Sequence, residues 1–193
     1  MKLLVFSDIH GSLPVAECVL DLASRHDPEV ILVLGDVLYH GPRNPLPVGY
    51  SPKSVAEALA PLAPRIIAVR GNCDSDVDAM VLPFSFAEPF TWVLQEKAGT
   101  VLRIFATHGH IFGPHNMPPL LDGDVLLYGH THVPKAEKNA GGIRICNPGS
   151  LALPKEGHPP CYGIFENGLF SVLTKNDDLY LQLDCKQDSP KTA

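Results

Sequence analysis

A chain of 193 residues with 45 % hydrophobic and 19 % charged residues can build one packed domain and is too short for two large ones. That balance excludes a disordered chain. A formal net charge of −6 disfavours a nucleic-acid polymer held through its phosphates, although divalent cations can reverse the local sign inside a cleft.

The chain opens on Lys2 to Phe6, a short apolar run of strand type that ends in the polar stretch Ser7 to Ser12. It is too short for the core of a signal peptide or for a membrane span, so no membrane partner is expected. Pro14 to Ser24 has helical spacing, with Pro14 suited to a first turn and Val15, Val19 and Leu22 on one side. Val30 to Leu34 predicts a second buried strand, followed by Gly35-Asp36. Val37 to Pro52, rich in Gly and Pro, predicts a long loop of the kind that carries function in compact domains. Lys53 to Leu62 predicts a short helix and Arg65 to Val69 a third strand, ending in Arg70-Gly71-Asn72.

The first half therefore alternates strand and helix, with polar residues placed directly after strands, where parallel α/β sheets bind ligands. The second half predicts hairpins: Phe90 to Glu96 and Thr100 to Ala106 around Lys97-Ala98-Gly99, then Gly163 to Phe165 and Leu169 to Thr174 around Asn167-Gly168. Asp124 to Tyr128 is a further strand. The expected organisation is a single domain over 1–184 with a flexible polar tail over 185–193. Five cysteines, an odd set with no C-x-x-C pair, read as free thiols and suit a reducing cytoplasmic setting.

Strand-end motifs carry the candidate chemistry: Asp8-Ile9-His10, Gly35-Asp36, Gly71-Asn72-Cys73-Asp74, Thr107-His108-Gly109-His110 and Gly129-His130-Thr131-His132. Carboxylate, amide and imidazole donors together suit Mn²⁺, Fe²⁺ or Zn²⁺ better than Ca²⁺. A carboxylate can bridge two ions about 3.5–4 Å apart, which then act on one phosphoryl group. Singly, each Asp or His after a strand is more simply a cap or turn former. Their accumulation at successive strand ends makes a metal site the better reading.

In this order the motifs resemble the calcineurin-like metallophosphoesterase superfamily. With Ser7 to Ser12, the run from Gly35 to Asn44 and Asn147-Pro148-Gly149-Ser150, they are similar to its small bacterial phosphodiesterases of the YfcE type. The resemblance implies an α/β fold, a four-layer α-β-β-α sandwich of two mixed sheets with the metals at strand ends. It also implies two divalent ions per chain, Mn²⁺ first, with Zn²⁺, Fe²⁺, Ni²⁺ or Mg²⁺ as alternatives. Matched motif by motif, Asp8, His10 and His132 would hold one ion and Asn72, His108 and His130 the other. Asp36 would bridge them together with a hydroxide that attacks phosphorus.

Asn72, Asp74 and His108 are the expected catalytic residues, with Asp74 acting by orienting the Asn72 loop. His40, Arg43 and Cys73 are the expected substrate contacts. Cys73 stands where many relatives carry a histidine thought to protonate the leaving oxygen, and a thiol is a weak donor. The expected substrate is a small phosphodiester, and homo-oligomerisation is left open. The alternative is a non-catalytic protein-docking scaffold, the role taken by the retromer subunit of this fold. Such a scaffold has no need of the full ligand set, which this chain retains.

Overall fold

The computed structural model describes residues 1–97 and 100–186. Of the turn expected at Lys97-Ala98-Gly99, residues 98 and 99 lie outside them, as does most of the expected tail. In chain order the elements are β1 (Lys2–Phe6), α1 (Leu13–His26), β2 (Val30–Val33), α2 (Pro52–Leu59), a 3₁₀ segment (Ala60–Arg65), β3 (Ile66–Val69), α3 (Asp76–Val81) and β4 (Phe86–Ala87). They continue as β5 (Phe90–Lys97), β6 (Thr100–Thr107), β7 (Val125–Tyr128), β8 (Lys135–Lys138), β9 (Arg144–Asn147), β10 (Cys161–Glu166), β11 (Leu169–Thr174) and β12 (Leu179–Asp184).

Two mixed sheets result. One is seven-stranded in the order β12-β11-β10-β1-β2-β3-β4, the other five-stranded in the order β5-β6-β7-β9-β8. The period-two alternation of the strands explains how they stack. Leu4 and Phe6 of β1, with Ile31 and Val33 of β2, face α1 and α2 and pack with Val19, Leu22, Val55 and Leu59. Leu3, Val5, Leu32 and Leu34 point the other way, against Ile104, Ala106, Val125 and Leu127 of the second sheet. A one-residue slip of β1 would exchange these two faces. Truncating a fully buried side chain such as Leu4 to Ala should cost about 2–5 kcal/mol.

The outer face of the five-stranded sheet is covered by irregular chain rather than by a helix. Phe112 and Leu120 pack there on Phe105, Leu126 and Tyr128. The outer layers of the sandwich are thus unequal, two helices on one side and loop on the other.

Other departures from the sequence reading have local causes. The helix expected to reach Leu62 ends at Leu59 and tightens into the 3₁₀ segment, where Pro61 and Pro64 lack the N–H an α-helix would use. Helix α3 was not expected. A capping box nucleates it, with Asp78 N–H donating to Ser75 Oγ and Ser75 N–H to Asp78 Oδ2. Strands β8 and β9 lack alternation: Lys-Ala-Glu-Lys is a charged sheet edge, and Arg144–Asn147 is buried on both faces. The Asn167-Gly168 hairpin forms as expected, with Glu166 opposite Leu169 and both turn residues at positive φ. Between β2 and α2 the chain is the expected long loop, tied down by a bridge from Ser12 to Tyr50.

Candidate metal centre

All the strand-end motifs converge on one edge of the sandwich. The parallel pairing of β1 with β2 and of β2 with β3 brings the segments after Phe6, Val33 and Val69 side by side, and the β6–β7 pair does the same from the second sheet. Asp8 N–H donates to the Gly35 carbonyl at 3.0 Å and His10 N–H to the Asp36 carbonyl at 2.9 Å. Gly35 and Gly71 allow the closest approach. A Cβ on Gly35, at φ +91°, would lie 2.5 Å from Gly71 N, and one on Gly71 would lie 2.1 Å from Asp36 Oδ1.

The turns are strained where the chemistry sits. Asp8, His10, Asp36, His130 and His132 all adopt positive φ, between 51° and 62°. Each such non-glycine residue costs about 1–3 kcal/mol and persists only where its surroundings over-determine it. Asp74 supplies part of that constraint. Its carboxylate accepts backbone N–H groups from Asp36 (2.7 Å), Val37 (2.8 Å) and Gly71 (2.7 Å). Burial raises its pKa to about 6 in spite of these bonds. With its oxygens so engaged, Asp74 holds the Asp36 and Gly71 turns in place. Asn147 and Ser150 act similarly: Asn147 Nδ2 donates to the Gly129 carbonyl and Thr131 Oγ1, and Ser150 Oγ to the Asp8 carbonyl.

The rings are held by their outer nitrogens. Nδ1 of His10, His132 and His108 meets the carbonyls of Tyr39 (2.8 Å), Leu153 (2.6 Å) and Leu34 (2.6 Å). These bonds place the proton on Nδ1 and aim each Nε2 lone pair into the cleft. His10 Nε2 and His132 Nε2 then face each other at 3.3 Å. Asp8 Oδ1 stands 3.3 Å from His132 Nε2 and 3.7 Å from His10 Nε2, fully buried and without a hydrogen-bond partner. Three buried acceptors with no donor among them repel one another unless a cation lies between. Around His108 Nε2, Asn72 Oδ1 lies at 3.0 Å, His130 Nδ1 at 3.2 Å and Asp36 Oδ1 at 3.5 Å. Asp36 spans the two clusters, since its Oδ2 is 3.8 Å from His10 Nε2.

The electrostatics agree with this geometry. Burial pushes the Asp8 carboxyl up, but the neighbouring His132 and His108 imidazoles outweigh burial and hold it below the usual range. Burial, followed by the neighbouring His108, lowers His130 to about 4, and burial also lowers His10. Burial first and then the Asp36 charge push the Cys73 thiol up to about 12, so it stays protonated.

The cleft over these groups, about 520 Å³, is lined by Asp36, Asn72, Cys73, His130 and His132 on its floor and by Arg43, Asn44 and Lys155 on its wall. Of the expected substrate contacts, Arg43 and Cys73 line the cleft. His40 does not: it packs edge-on between Tyr39 and Tyr50, at 4.9 and 5.2 Å between ring centroids, away from the cleft lining. His110 lies beside His108, its ring 5.3 Å away, and also outside the lining. Lys155 was missed, because it sits in an exposed loop with no motif around it.

Residues 1–168 match the calcineurin-like phosphoesterase superfamily domain. The chain is 53 % identical over 177 residues to phosphodiesterase YfcE of Escherichia coli K12, covering 92 % of this chain and 94 % of that protein. It is 31 % identical to the probable metallophosphoesterase YsnB of Bacillus subtilis, covering 85 % and 83 %. Among solved structures, that of YfcE, a phosphoesterase from E. coli, superposes with a TM-score of 0.91 at 49 % identity, covering 96 % of this chain and all of that one.

Proposed function

The chain belongs to the calcineurin-like phosphoesterase superfamily, and we propose that it is a phosphodiesterase acting on small diesters through two divalent ions in its strand-end cleft. The observation that carries this reading is the buried, unpartnered Asp8 Oδ1 facing the lone pairs of His10 and His132. Asp8, His10 and His132 would hold one ion, Asn72, His108 and His130 the other, and Asp36 would share its carboxylate between them. Bound there, two such ions would supply Lewis acidity toward a water and toward the phosphoryl oxygens. Mixed oxygen and imidazole donors beside a protonated thiol suit Mn²⁺.

The chain's own groups orient and select. The carbonyls of Tyr39, Leu34 and Leu153 keep the imidazoles in their ligating tautomer, and Asp74 keeps the Asp36 and Gly71 turns in register. Arg43 and Lys155, with no ion-pair partner among the described residues, offer positive charge to the non-bridging phosphate oxygens. Cys73, a protonated weak donor, gives the departing oxygen little help, so the site favours esters of acidic alcohols. A cleft of this volume fits a small diester rather than a polymer. A docking scaffold would have no reason to retain five strained ligand positions around facing lone pairs.

Prolonged dialysis against chelator should abolish hydrolysis of bis(4-nitrophenyl) phosphate, and Mn²⁺ should restore it best among divalent ions. Full activity in excess chelator would sink the proposal.

A further inference from the structure

A second cavity meets the cleft at Cys73, and we infer that it receives a neutral aromatic arm of the phosphodiester, so that the two ester arms are told apart. This deepens the function proposed above and rests on it for the class of ligand. The cavity measures about 250 Å³, and its walls include Tyr39, Tyr50, Pro52, Val77, Cys73 and Asp78. Cys73 also lines the cleft over the candidate metal ligands. A phosphorus atom above the ligands therefore has one neighbouring space on the Arg43–Lys155 side and another past the thiol. At that volume the second space is smaller than the ~300–1,000 Å³ of sites that enclose a whole small ligand, and it suits one ring system of a larger molecule.

The lining specifies what that ring system is. Tyr39 and Tyr50 are propped apart by the His40 ring between them, so two aromatic rings stand at the cavity wall. Val77 is 65 % exposed and Tyr39 41 % exposed, apolar surface at the rim that packs against nothing in the core. Ser75 and Asp78 spend their backbone-facing hydrogen bonds on each other in the capping box of α3. The Asp78 carboxylate still carries its charge at the wall and repels an anionic arm. The cations of the site, Arg43 and Lys155, line the cleft and not this cavity. Charge thus sends a second anionic group toward Arg43 and Lys155, and leaves the tyrosine-lined cavity to an uncharged planar arm.

The test uses two phosphinates that cannot be hydrolysed, ethyl methyl phosphinate and benzyl methyl phosphinate, titrated calorimetrically into Mn²⁺-loaded protein. Wild type should bind the benzyl compound roughly tenfold more tightly, the scale expected for burying one ring after ordering losses. Val77→Asp and Tyr39→Ala should bring the ratio of the two dissociation constants close to one, whereas Val77→Leu should keep it. Manganese content measured on each variant controls for folding. No benzyl preference in wild type, no measurable benzyl binding, or a preference that survives both Val77→Asp and Tyr39→Ala would overturn the inference. Since binding is read without turnover, a benzyl preference in a protein that hydrolyses no diester would count against the enzymatic function alone. Diester hydrolysis without the preference would count against the aromatic cavity alone.

Discussion

The floor and the wall of the cleft are built on opposite principles. On the floor, Asp8, His10, Asp36, His108 and His132 are buried, and each of these imidazoles is pinned by a backbone carbonyl. The wall comes from the long loop after β2 and the loop around Lys155, whose Arg43 and Lys155 side chains are exposed and have no ion-pair partner among the described residues. A floor built this way holds its donors in place before any ion arrives, which strengthens ion binding at the expense of backbone strain. A wall built that way can adapt to substrates and can be changed without disturbing the floor. On the proposed function, metal binding and substrate choice would reside in separable parts of the chain.

The largest effect should come from the floor. Asp36→Asn should lower kcat/KM by about 10³-fold and reduce the content of both ions, because the lost charge is shared between the two clusters. His10→Gln, on one cluster only, should do less. Equal residual activity and equal metal content in the two variants would remove Asp36 from its shared position.

Cys73 stands where floor meets wall, and it sets the next effect. Cys73→His should speed hydrolysis of an alkyl diester by about 10²-fold or more if the imidazole reaches the leaving oxygen. The plot of rate against leaving-group pKa should become shallower. Room for the ring exists, since Cys73 borders both cavities. A wild-type slope that is already shallow, and that steepens in His40→Ala, would assign the acid to His40 instead.

On the wall, Arg43→Ala should cost about tenfold in kcat/KM, carried by KM, with metal content unchanged. Loss of metal in that variant would show the two parts to be coupled.

The smallest effect is on stability. Burial holds His130 near a pKa of about 4, below its ordinary 6.5. As pH falls below 6.5 the unfolded chain takes up a proton that the folded ring refuses, so this residue's contribution erodes between pH 6.5 and about 4. Metal-free His130→Gln should therefore lose thermal stability less steeply than metal-free wild type over that window. Parallel curves would mean that the ring is less shielded than its surroundings imply.

Much of the floor was legible in the residues, because the motifs after Phe6, Val33, Val69, Ala106 and Tyr128 carry donors whose chemistry is local to each short segment. Strand identity was legible for the same reason in β1, β2 and the Asn167-Gly168 hairpin, where period-two alternation and turn residues act over a few positions. Only the tertiary structure decided the rest. Which atoms face each other depends on pairings across long stretches of chain, such as His10 with His132. The left-handed backbone at Asp8, His10, Asp36, His130 and His132 is imposed by neighbours such as Asp74 and Ser150, and no propensity announces it. His40 turned away and Lys155 turned in for a similar reason. Loop residues follow the packing around them, here the rings of Tyr39 and Tyr50 about His40, and a linear pattern does not encode that packing.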